Sequence, residues 1–150
     1  MRERVCFFVP GIPRPQGSKR YLGPGKMVES GSKHLAPWRA DVRAAAEQAL
    51  GDGGPGALWD QPVKVQLIFW LPRPKAHFGS GRNANKVRPS APRWPTGRPD
   101  LDKLARAVLD AITGVVIADD STVVDLCLRK RYAHNGDPRF GVSVTVGVAR

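Results

Sequence analysis

Asp100 and Asp102, with Asp119 and Asp120 downstream, are the residues of this chain best suited to chemistry. Six of the thirteen acidic residues lie between Asp100 and Asp125, in a chain with twenty-four lysines and arginines. Grouped carboxylates can hold a divalent cation, and basic surface attracts polyanions. The combination describes a metal site that works on a nucleic-acid backbone. Carboxylate oxygens with remaining waters suit magnesium, or manganese in its place, better than zinc or copper. Such a cation can bind a scissile phosphate, lower the pKa of an attacking water and stabilise the leaving oxygen.

Spacing sets conditions on this site. Residues two apart on a helix point to nearly opposite sides. Asp100 and Asp102 therefore converge only if Asp100 is still extended, which Pro99 allows, while Asp102 opens the helix. Asp119 or Asp120 would then complete the site from the loop before the following strand. Asp102, Arg106 and Asp110 are four apart and share one helix face. Arg106 can reach both the metal and a bound phosphate and neutralise charge developing there. Permanently protonated, it makes a poor general acid or base. The same residues admit a plainer reading. Aspartates favour helix starts as caps and for the dipole, Asp102–Arg106–Asp110 can be a surface ion-pair ladder, and Asp119-Asp120-Ser121 can be a simple turn. The chain would then be a non-catalytic, basic DNA-binding protein. Spacing alone leaves both readings open.

The elements that must position these residues follow from periodicity. Leu101, Leu104, Ala105, Val108, Leu109 and Ile112 form an apolar stripe that predicts a helix over 101–113, stopped by Gly114. A second helix is expected over 37–50, with Trp38, Val42, Ala45, Ala46 and Ala49 inward and Gly51 as its stop. Alternation predicts strands over 3–9, 63–71, 123–131 and 140–148. Arg20–Gly23 and Lys26–Val28 can form a loose hairpin, and Asn135-Gly136 marks a turn in a longer loop. Gly51–Gly56 reads as a flexible connector, and there is no internal repeat. The expected fold is α+β, a mixed sheet with two helices on one face, in a single domain spanning 1–150.

Two basic segments flank this framework. The Pro/Gly-rich loop after the first strand offers Arg14, Lys19 and Arg20 to phosphates. The stretch at about 72–99 has no acidic residue and contains Arg73, Lys75, Arg82, Lys86, Arg88 and Arg98. So long a segment without regular periodicity is functional or disordered, and its charge suits an arm that orders on nucleic acid. Trp94 within it is expected to pack on the domain rather than stack on a base. The net charge of +11 favours a nucleic-acid partner over a membrane surface, since no apolar run approaches spanning length. Cys6 and Cys127 fall in strands and read as two buried thiols in a reducing compartment, and the three histidines show no zinc-like clustering.

The run Pro99-Asp100-Leu101-Asp102-Lys103-Leu104, followed by Arg106, Asp110, Gly114 and Asp119-Asp120, resembles the signature of the RusA family of Holliday junction resolvases, common in phages and prophages. The resemblance covers most of the chain, and its specific part is 100–120. It implies a homodimeric α+β nuclease that cuts paired strands of four-way DNA with magnesium, in the cytoplasm of a bacterium or a phage-infected host. It implies that Asp100, Asp102 and Asp120 are the metal-binding aspartates, with Asp119 beside them as a secondary member of the set. Two positions depart from the pattern. Lys103 stands where asparagine is frequent, and Arg106 where a catalytic lysine is usual. A two-fold protein would match the approximate two-fold symmetry of a four-way junction.

Overall fold

The computed structural model describes residues 2–17, 19–29, 33–134 and 139–150. Alternating apolar residues build a four-stranded sheet in the order β1 (Arg4–Pro10), β6 (Gly141–Val148), β4 (Val63–Leu71) and β5 (Val123–Tyr132). Pairings β1–β6 and β6–β4 are antiparallel, and β4–β5 is parallel. The sheet is therefore mixed, with β5 on one edge. A parallel neighbour needs a long crossover, and here the segment 72–99 and helix α2 (Leu101–Ile112) supply it. A separate hairpin joins β2 (Lys19–Gly23) to β3 (Lys26–Glu29), as the loose-hairpin expectation had it. The Asn135-Gly136 turn lies outside the described residues.

Only one face of the sheet is sealed. Val5, Val9, Val142, Val144, Val146, Val63, Val65, Leu67 and Phe69 are buried with Trp38, Val42 and Ala46 of helix α1 (Leu35–Leu50) and with Leu104, Val108 and Ile112 of α2. Burial of alternate strand residues beneath an apolar helix stripe is the main driving force for this arrangement. Both helices lie where periodicity placed them, although α1 begins two residues earlier, at Leu35. The other sheet face is open. Cys6 is accordingly exposed and Cys127 half-buried, contrary to the expectation of two buried thiols.

Two glycines close the frame. A Cβ on Gly141 would fall 2.1 Å from the Val9 carbonyl oxygen, so only glycine lets β1 and β6 meet there. That contact buries Gly141, which alternation had put on the outer face. A Cβ on Gly56 would stand 2.9 Å from the Arg2 backbone. The 51–56 segment is thus a pinned connection rather than a flexible one. It folds into short 3-10 turns, Ala57 N–H donates to the Arg2 carbonyl at 2.9 Å, and the Arg2 guanidinium donates to the Ala49 carbonyl at 2.8 Å.

Candidate active site

Helix α2 starts as the aspartate spacing requires. Asp100 is its extended N-cap residue (φ −72°, ψ 142°), and Asp102 lies in the first turn. Asp100 makes no capping hydrogen bond with its side chain; its carboxylate lies 3.2 Å from the Lys103 ammonium instead. A capping role therefore does not account for Asp100. After α2, Val115–Ile117 sink into the core and anchor the turn that carries Asp119 and Asp120 beside the helix.

The result is a cavity of about 250 Å³ walled by Asp102, Arg106 and Asp110 of α2, by Asp120, and by Leu126 and Leu128 of β5. The four-residue spacing aligns Asp102, Arg106 and Asp110, yet among the described residues Arg106 closes no ion pair with either aspartate. The ladder of surface ion pairs is not formed, and the guanidinium remains available. Negative charge accumulates opposite it. Partial burial comes first in raising the Asp120 carboxyl above its ordinary value, followed by a hydrogen bond with Asp119 and the charges of Asp119 and Asp110. Asp119 is lowered, chiefly by the hydrogen bond from the Ser121 hydroxyl at 2.8 Å.

Asp100 lines a second, larger cleft on the other side of the helix start. The sequence thus brings Asp102, Asp120 and Arg106 to one cavity, with Asp100 next door and Asp119 in contact with Asp120. Among the described residues, no three histidine, cysteine or carboxylate side chains are grouped tightly enough to hold a metal ion as they stand. The donor chemistry nevertheless suits a hard cation. Both cavities offer carboxylates without any thiol or imidazole, and a cation would offset the charges of Asp119 and Asp110 that act on Asp120.

Several contributors carried no sequence signal. Gln16 is 6% exposed. Its backbone N–H donates to the Lys103 carbonyl at 3.0 Å, its amide NH2 donates to the Asp110 carboxylate, and its amide oxygen accepts from Arg39 at 2.9 Å. It locks the loop after β1 onto both helices. A polar residue among prolines and glycines has no periodicity to announce its burial. Lys130 of β5 donates to the carbonyls of Gly97 and Pro99, both at 2.9 Å, and so fixes the chain entering Asp100.

The basic residues divide into two groups. Arg73 donates to the Pro92 carbonyl at 2.7 Å and lies 4.3 Å from the centre of the Tyr132 ring, while Arg88 donates through Nε to the Phe78 carbonyl. These two brace the 72–99 segment, which also closes on itself through a Phe78–Val87 bridge. Lys75, Arg82, Lys86 and Arg98 are exposed, and Arg14 lines the larger cleft. Lys19 and Arg20 lie in β2, but their side chains are outside the described residues. Trp94 is not packed as expected. It is 45% exposed, with the Arg93 and Arg131 guanidinium carbons 5.0 and 4.7 Å from its ring centre.

Residues 10–145 match the family described as endodeoxyribonuclease RusA. The chain is also 32% identical over 146 residues to "Uncharacterized protein YqaN" of Bacillus subtilis (strain 168), a match covering 93% of this chain and 94% of that protein.

Proposed function

This chain belongs to the RusA endodeoxyribonuclease family, and on that premise we propose that it is a magnesium-dependent, structure-selective nuclease that resolves four-way DNA junctions. The observation that carries this reading is the cavity shared by Asp102, Asp110, Asp120 and Arg106, flanked by an Asp100 that does not cap its helix. Asp100, Asp102 and Asp120 would hold the cation, with Asp119 supporting Asp120 or adding an oxygen; manganese would fit the same donors. The bound cation supplies an activated water and charge stabilisation for phosphodiester hydrolysis.

The chain's own residues do the remainder. Arg106 sits between the carboxylates and neutralises negative charge on the phosphate as it is attacked. The first turn of α2 adds backbone N–H groups that Asp100 does not cap. Arg14, Lys19, Arg20, Lys75, Arg82, Lys86 and Arg98, with Arg73 and Arg88 bracing the arm, hold the sugar–phosphate backbone in place. A homodimer would present two such sites to opposed strands of a branched substrate. Branched DNA formed in recombination, repair or phage DNA processing, in the cytoplasm, is the setting this reading implies.

Cleavage of a synthetic four-way junction, with and without magnesium, is the test. Asp100→Asn and Asp120→Asn are expected to lower cleavage by on the order of a hundredfold or more while junction affinity stays within about threefold. Arg106→Ala is expected to lose a similar amount and Arg106→Lys to recover most of it. Cleavage by both aspartate variants at the wild-type rate would refute the catalytic reading of these aspartates, and no cleavage by the wild-type protein would leave a DNA-binding protein without catalysis.

A further inference from the structure

The larger cleft measures about 880 Å³ and lies between the loop after β1, the ends of β4 and β5, and the last residues of the 72–99 arm. Its walls are mostly flat and apolar, with Pro13, Pro15, Pro72 and Pro95 around Tyr132. Its rim is cationic, with Arg14, Arg98 and Lys103 against a single carboxylate, Asp100, already paired to Lys103 at 3.2 Å. Lys130 ties down the arm residues that form one wall. A volume within the ordinary range of small-molecule sites, about 300–1,000 Å³, holds one nucleotide but not a base pair in its helix.

The cleft and the candidate cleavage centre lie on either side of the start of α2 and share no lining residue. Asp100 lines the cleft and Asp102 the smaller cavity. Two residues of chain span at most about 7 Å. A DNA strand crossing the start of α2 with one phosphate at the smaller cavity would bring its neighbouring nucleotide toward the cleft mouth. Tyr132 offers an aromatic surface there, its ring braced by the Arg73 guanidinium and by the edge contact of His77 at 5.4 Å.

We propose that this cleft receives one unpaired nucleotide next to the scissile phosphate, its base against the proline–tyrosine wall and its phosphate against Arg14 and Arg98. The assignment rests on the nuclease reading, and it makes the cleft the element that selects sequence at the branch point. An unpaired base costs least to extract at a junction, where stacking is already interrupted.

The test uses four-way junctions with a single abasic nucleotide moved through the positions on either side of the cleaved bond. Affinity is measured with Asp120→Asn, and cleavage with the wild-type protein and magnesium. Two variants close or strip the cleft. Gly97→Phe adds bulk to its wall, where a Cβ meets nothing within 4 Å and the backbone carbonyl held by Lys130 is kept. Tyr132→Ala removes the stacking surface, and thermal unfolding checks that each variant folds. The expected result is an affinity loss of about tenfold for one abasic position adjacent to the scissile phosphate, abolished when either cleft variant is added to Asp120→Asn. The proposal is overturned if no flanking position loses more than about twofold, or if the loss persists in both cleft variants. Failure of the wild-type protein to cut any junction would refute the nuclease reading separately, because the affinity series does not depend on cleavage.

Discussion

Asp120 is exposed, yet its neighbours set it apart from an isolated surface carboxylate. It must be ionised to serve a cation, yet burial, the Asp119 hydrogen bond and the charges of Asp119 and Asp110 all favour its protonated form. As pH falls, Asp120 therefore takes up a proton earlier than an ordinary aspartate, and cleavage is lost on that acid limb. Asp119→Asn removes one negative charge that raises it, so the limb moves to lower pH. Carboxyl NMR titration of Asp120 in metal-free protein checks the direction; an unmoved titration would exclude Asp119 as its regulator. At this scale the sequence was legible where residue type and spacing suffice. Asp102, Arg106 and Asp120 could be placed together, because helical period and a short downstream turn leave few alternatives. Trp94 could not, since its exposure depends on which neighbours the arm folds against it.

Between residues and fold, the loop after β1 and the start of α2 act as one unit. Gln16 joins them through three hydrogen bonds spanning α1, α2 and the loop. Gln16→Ala leaves the Asp110 carboxylate without this donor, and is expected to destabilise the protein by about 1–3 kcal/mol. Cleavage should fall further than stability alone explains, because Asp110 faces Arg106's cavity. Thermal unfolding and a rate measurement well below the transition separate the two; a rate unchanged beside a lowered midpoint would confine Gln16 to stability. The helices and strands themselves were readable from apolar period. Tertiary hydrogen bonds of side chains such as Gln16 and Lys130 have no period, and so the reasons the site holds its shape emerged only from the structure. The same holds for Cys6, whose exposure depends on a sheet face being left uncovered.

Across the whole molecule, charge is divided rather than uniform. The carboxylates cluster around the start and face of α2, while exposed lysines and arginines occupy the 72–99 arm. If that arm follows the DNA backbone, replacing Lys75, Arg82 and Lys86 with alanine lowers the slope of log affinity against log salt by about 0.9 for each duplex phosphate that is no longer neutralised. An unchanged slope would show that these side chains do not neutralise phosphates. The α+β class and the mixed sheet followed from the order of strand and helix patterns, but strand order did not. That β6 lies between β1 and β4 is set by pairing across long stretches of chain, which local alternation does not encode.

That central position of β6 also bears on when the protein becomes dangerous to its own cell. During synthesis β1 and β4 leave the ribosome early, yet neither has its shared partner until Gly141–Val148 has followed. Without that strand the sheet under both helices is incomplete, and Asp102 and Asp120 have no rigid floor. The site's geometry therefore depends on a strand made after all of its carboxylates. Non-local pairing of this kind is slow, so formation of the central strand is expected to set the pace at which the site takes shape.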